Sequence, residues 1–246
     1  MRTFKDGALK PDTFSEPRLL GQPPGVCALI ICFNRFHNYV VGQLAEINES
    51  GKFSLPAGIT PADKDSYDAA QRKRDNDLFQ TGRLVTCGLY INIVLGDYVS
   101  TILNLYSSNS SWRLDPRTTY NDVFDITGTP KGIGNQVSVE FNLIYRWHCA
   151  VSNKDEKWAE AFYAKLFPGK DPSTLSLPEF LQGLRVWASR IDSDPQKWTF
   201  GTLHRSSNGS FKDNDLVDLL TESTEDVAGR SIFVSQDTFS HYFFTC

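Results

Sequence analysis

The sequence predicts a mainly α-helical protein. Apolar residues recur at helical spacing in successive stretches, Gly and Pro gather in the connections between them, and no strand alternation of convincing length or internal repeat occurs.

Residues 1–25 carry Gly7, Pro11, Pro17, Gly21, Pro23, Pro24 and Gly25, a density of breakers that reads as extended loop. A first helix is expected over 26–47, opening after Pro24 and Gly25. Its first two turns are apolar all round, which predicts a largely buried helix. Residues 48–76 are polar and contain Gly51, Pro56, Gly58 and Pro61, so a surface excursion is expected, with a short helix after Asp65. A second long helix follows over 77–105, N-capped by Asp75 or Asp77 and buried on most faces. Gly82, Gly88 and Gly96 fall inside it. Each costs about 1 kcal/mol against Ala in an exposed helix, so close approach of another backbone or a flat cofactor is the expected compensation.

A breaker-rich connection over 107–136 leads to a helix over 135–150. Further helices are expected at 155–167, stopped by Pro168 and Gly169; at 176–188, begun by Ser176 or Leu177 ahead of Pro178; and at 213–222. From 229 to 246 the chain is rich in aromatics without a clear period and reads as a divergent tail, separate from a domain covering 1–228.

At 246 residues with 40% apolar content, the chain can build one large core or two small ones. A net charge of −4, from 25 basic and 29 acidic residues, gives no electrostatic reason to expect a nucleic-acid partner. Arg72, Lys73 and Arg74 are followed by Asp75 and Asp77 and read as a solvated loop or helix start. Five cysteines are an odd set, and Cys27, Cys32 and Cys87 lie in apolar runs, so reduced, packed thiols and a cytosolic compartment are expected. Met1-Arg-Thr-Phe-Lys-Asp-Gly7 has no apolar run, so a cleaved secretory signal is not expected. The most apolar run, 26–33, is far short of the roughly 20 residues that span a bilayer, so no transmembrane segment is expected.

Tyr145 and His148 are three residues apart in the stretch expected to be helical. Residues so spaced share a helix face, with Cβ atoms roughly 5–6 Å apart. Iron held by the imidazole would bring a porphyrin close to the phenol, although the same spacing also describes a half-buried phenol beside a hydrogen-bonded imidazole.

The longer string Glu140-Phe-Asn-Leu-Ile-Tyr-Arg-Trp-His148 closely resembles the proximal-haem helix of the cyclooxygenase-like haem dioxygenases. The resemblance is to the fungal psi-producing oxygenases and linoleate diol synthases. It extends to Arg2-Thr-Phe-Lys-Asp-Gly7, Phe33-Asn-Arg-Phe-His-Asn-Tyr-Val40, the run from Asp77 to Tyr90, Gly134-Asn-Gln-Val137 and Asp155-Glu-Lys-Trp158. It implies a fragment of the helical animal-type haem peroxidase fold, with haem as cofactor, His148 as axial iron ligand and Tyr145 as the radical-forming catalytic residue. The implied reaction is dioxygenation of an unsaturated C18 acid such as linoleate to a hydroperoxy fatty acid: the Tyr145 radical abstracts a bis-allylic hydrogen and O2 adds. The implied partners are the fatty acid and O2, with a homo-oligomer left open. The location expected is cytoplasmic, with association to a lipid-body or membrane surface also open. In this family a distal histidine and a calcium loop lie upstream of the point where this chain begins, and family sequence continues beyond Ala228, so truncation at both ends is expected. A non-catalytic remnant and a haem peroxidase without fatty-acid specificity stay as alternatives.

His37 reads as a core or capping histidine rather than a distal group, and His204 and His241 as surface residues. No close-spaced His pair or Cys-x-x-Cys marks a zinc or non-haem iron site. Glu140 and Asp97 lie among apolar neighbours and are expected to pair with Arg35, Arg83 or Arg146. Gly132-Ile-Gly134 lacks the third glycine and preceding strand of a nucleotide loop. Phe141, Ile144 and Trp147 read as core or haem-packing residues.

Overall fold

The structure is a computed structural model that describes residues 10–102, 104–105, 139, 150–171, 174–226 and 230–231. It is mainly helical, as the sequence predicts. The elements are α1 (Pro24–Ile47), α2 (Lys64–Ile93), β1 (Ala150–Val151), α3 (Asn153–Leu166), α4 (Leu177–Arg190), α5 (Asp213–Glu225) and β2 (Arg230–Ser231). β1 and β2 form one short antiparallel pair. The chain divides into two compact units, one of Met1–Cys32 with Gln136–Cys246 and the other Phe33–Asn135.

In the first unit, the start of α1 supplies Cys27, Ala28 and Ile31 to a core completed by Phe14, Trp198, Phe200, Leu203, Phe211 and Leu216. Phe200 meets Phe14 edge-on at 5.8 Å and Phe211 at 4.9 Å, geometries that aromatic quadrupoles favour. The Cys27 thiol donates to the Leu19 carbonyl at 3.2 Å, and burial pushes its pKa up to about 12. That thiol is reduced and packed as expected. Cys87 is exposed and Cys32 half-buried, so packing of all three thiols does not hold.

Arg205 locks this core from its edge. Its Nε donates to the Trp198 carbonyl at 2.9 Å, Nη1 to those of Gly209 at 2.7 Å and Pro11 at 3.3 Å, and Nη2 to those of Asp12 at 3.1 Å and Pro195 at 3.4 Å. The guanidinium also stands 4.3 Å from the Phe211 ring centroid. Asp12 returns the contact, its carboxylate accepting from the Phe211 N–H at 2.8 Å.

A second cluster joins α3 to α4 through Tyr163, Phe167, Leu175 and Phe180. Phe167 lies so close over Gly183 that a Cβ there would collide with its ring. Ser176 precedes α4 as expected, with Pro178 in the first turn. The Glu179 carboxylate reaches back to accept from the Ser176 N–H at 3.1 Å and hydroxyl at 2.7 Å, and from Lys170 Nζ at 2.8 Å.

In the second unit, Asp63 rather than Asp75 or Asp77 caps α2, accepting from the Ser66 N–H. The helix therefore absorbs Arg72, Lys73 and Arg74. Arg74 Nε reaches the Phe53 carbonyl at 2.8 Å, and Asn48 accepts from the Phe53 N–H. Phe53 is thereby buried inside what reads in sequence as a surface excursion. α2 continues through a π-helical stretch, Val94–Val99, into Ser100–Ile102.

Neither long helix is as buried as its composition predicts. Only Cys27, Ala28 and Ile31 of α1 and Leu78 and Gly82 of α2 are buried. Gly82 is explained by close approach, since a Cβ there would stand 2.6 Å from Val41 Cγ2. At Gly88 and Gly96 an added Cβ would meet nothing within 4 Å, so no backbone approach accounts for either. The helix Lys64–Val99 is long and apolar enough to cross a membrane by length and composition, a property the eight-residue reading of 26–33 missed.

Two outcomes test these contacts. Arg205→Lys offers three donors without a planar fork, leaving carbonyls at the core edge unpaired, and is expected to lower stability by roughly 2 kcal/mol in urea unfolding. Lys170 first, then the Ser176 hydroxyl and N–H, hold the Glu179 carboxyl down at about 2. Its contribution is complete above the ordinary carboxylate range and lost as pH falls through that range to about 2. Glu179→Gln is expected to flatten the fall of the thermal midpoint in that window only.

Candidate functional site

Tyr145 and His148, the two site residues predicted from sequence, lie outside the described residues, as do Glu140, Phe141, Ile144, Arg146 and Trp147. Ala150 is described and stands in β1, so the helix expected over 135–150 does not include its last residue.

The chain that leaves His148 is fixed within a few residues. Ala150 and Val151 pair with Ser231 and Arg230. Ser152 is buried and caps α3, its hydroxyl accepting from the Asp155 N–H at 3.1 Å. The Asp226 carboxylate, just past the end of α5, accepts from the Lys154 N–H at 2.9 Å. Lys154 Nζ meets Glu222 at 3.4 Å. The first turn of α3 thus rests on the end of α5, some 70 residues further on.

The charges at this junction differ in their response to solvent. The Lys154 N–H holds the Asp226 carboxyl below its ordinary value. Burial raises Asp155, opposed by its hydrogen bond to Ser152 and reinforced by Asp226. No signal in the sequence identifies Asp226 as a partner of α3, because the pairing is set by tertiary structure alone.

His37 has a structural position. Its Nε2 lies 3.2 Å from the Phe79 carbonyl oxygen, its Nδ1 3.3 Å from Asn38 Oδ1, and its ring meets Phe79 edge-on at 5.1 Å. An Nε2–H donating to Phe79 clasps α1 to α2, matching the core or capping role read from sequence. Asp97 is exposed, contrary to the apolar surroundings its neighbours suggest. His204 is exposed, as expected. No cluster of three or more His, Cys, Asp or Glu suited to a metal ion occurs among the described residues.

Removing the α3 cap tests the anchor. Ser152→Ala is expected to cost about 1 kcal/mol in urea unfolding and to raise hydrogen exchange in the first turn of α3.

No family model and no solved structure matches the chain. Among curated proteins it is 54% identical over 229 residues to Psi-producing oxygenase A of Aspergillus fumigatus, a match covering 93% of this chain and 21% of that protein. It is likewise 54% identical to Linoleate diol synthase of Gaeumannomyces graminis, covering 93% and 19%. With Linoleate 10R-lipoxygenase of Aspergillus fumigatus the identity is 53%, covering 93% and 20%. The chain therefore spans about a fifth of the length of these relatives, and it belongs to the family of psi-producing oxygenases and linoleate diol synthases.

Proposed function

We propose that this chain is the part of a fatty-acid dioxygenase that carries its radical tyrosine and its proximal haem ligand. The observation that carries the reading is identity above half, over 93% of the chain, to proteins named for oxygenation of linoleate. Tyr145 and His148 supply the chemistry within that match.

A histidine imidazole is the proximal ligand of many haem proteins, so the donor set fits the group. When bound there, the haem supplies the one-electron oxidation of Tyr145. The Tyr145 phenoxyl then takes one bis-allylic hydrogen atom from an unsaturated C18 acid, linoleate, and becomes a phenol again. O2 adds to the delocalised pentadienyl radical. Return of a hydrogen atom from Tyr145 to the peroxyl radical gives the hydroperoxide and restores the phenoxyl, so each turn consumes one fatty acid and one O2.

Haemin titration and oxygen uptake test the two roles separately. His148→Ala in the 246-residue chain is expected to abolish the haemin Soret shift, whereas Tyr145→Phe leaves it in place. In a polypeptide of the relatives' length that carries this sequence, Tyr145→Phe is expected to stop linoleate-dependent oxygen uptake. Uptake that persists would remove Tyr145 from the mechanism, and a Soret shift indifferent to His148 would remove the iron ligand.

A further inference from the structure

Arg205 and Phe211 face each other in an antiparallel bridge, and the chain from Ser206 to Ser210 turns between them. The turn closes through the Ser206 N–H, which donates to the Ser210 carbonyl at 2.7 Å. At its tip stands Asn208-Gly209, the one Asn-Gly pair in the sequence. Gly209 has φ 89°, in the left-handed region that a residue without a Cβ enters freely. No side chain on Gly209 shields its nitrogen from the asparagine before it.

Asn208 is exposed, yet its amide is held in one orientation. The Ser210 N–H donates to Oδ1 at 3.0 Å and the Ser210 hydroxyl to the same atom at 2.7 Å. A backbone N–H can only donate, so this contact fixes which end of the amide faces Ser210. Two donors on one carbonyl oxygen polarise Cγ, and they stand where negative charge collects when a nucleophile adds to that carbon. The nucleophile within reach is the Gly209 nitrogen, next in the chain. Its N–H donates to the Ser206 carbonyl at 2.9 Å, so attack waits on local opening of that bond.

We propose that Asn208 is a self-modification site, at which the Gly209 nitrogen closes on the side chain and water completes a deamidation. The bond from Gly209 N to Asn208 Cγ forms and the bond from Cγ to Nδ2 breaks. Nδ2 leaves as ammonia, taking the proton that the Gly209 nitrogen gives up. Water then opens the cyclic imide at either carbonyl, giving aspartate, or isoaspartate with the backbone routed through Cβ and Cγ. Water is the only co-reactant. Aspartate adds charge but keeps the backbone, whereas isoaspartate adds one backbone carbon inside the turn. The added carbon displaces the Gly209 carbonyl from Arg205 Nη1, which it meets at 2.7 Å. Ageing at this site thus loosens the contacts around Arg205, independently of the proposed reaction.

Incubation of the 246-residue chain at mildly alkaline pH, folded and in urea, tests the site by peptide mass spectrometry and isoaspartyl methyltransferase labelling. In the folded chain residue 208 is expected to convert ahead of every other asparagine and to take the isoaspartyl label. Ser210→Ala is expected to slow that conversion about threefold or more in the folded chain and to leave the rate in urea unchanged. A residue 208 that stays an amide when folded but converts in urea would overturn the proposal. An S210A chain slowed equally in both states, or in neither, would do the same. Should S210A fail to fold, as shown by alkylation of the otherwise buried Cys27, the folded and unfolded native chain decide alone. The isoaspartyl fraction, separated by ion exchange, is expected to unfold at lower urea than Asn208→Asp, which keeps the native backbone. Equal midpoints would refute the link to Arg205.

Discussion

The first unit depends on a half-buried cation that satisfies backbone rather than acids. Arg205 gathers carbonyls from residues 11–12, 195, 198 and 209 around one planar guanidinium and covers the Phe211 ring. All but the Pro195 carbonyl, which opens a 3-10 turn, belong to irregular chain, where no helix or sheet would satisfy them. The core against which α1 begins, with Trp198, Phe200 and Phe211, is therefore built by loops and held by one side chain. Asp12 adopts a left-handed backbone conformation, φ 50°, tolerable for an Asp. From there its carbonyl serves Arg205 while its carboxylate serves the Phe211 N–H.

Local signals in the sequence locate the helices well wherever a start or stop residue acts on its immediate neighbours. Ser176 with Pro178 and Glu179, and Pro168 with Gly169 after α3, define boundaries because caps and breakers work within one turn. α2 shows the limit. Asp75 and Asp77 are chemically as good N-caps as Asp63, yet the helix already runs through them from Lys64, with Arg74 reaching the Phe53 carbonyl 21 residues away. Burial is the less legible quantity. An apolar circumference predicts a covered helix, and among the described residues Leu78 and Gly82 are buried while Leu84, Val85, Leu89, Tyr90, Ile91 and Ile93 are exposed.

The candidate site is legible in a different sense. The roles proposed for Tyr145 and His148 are read from their extended block, because each rests on what a phenol and an imidazole can do. Pairings between distant parts of the chain are not readable. Ser152 is recognisable as a cap, but Asp226 gives no hint in sequence that it receives the Lys154 N–H, and His37 gives none that it reaches a carbonyl on a helix turn 42 residues later. Such pairings are properties of the folded chain.

The Arg205 clamp also sets how late in synthesis the first unit's core can close. Its contacts to Pro11 and Asp12 join positions 194 and 193 residues apart. At ribosomal rates of about 5–20 residues per second, roughly 10–40 s separate synthesis of the two partners. Over that interval the apolar start of α1 has left the ribosome without the aromatic residues that will cover it. Chaperone capture of the nascent chain would act in that gap, and release would become productive only once Phe211 has emerged.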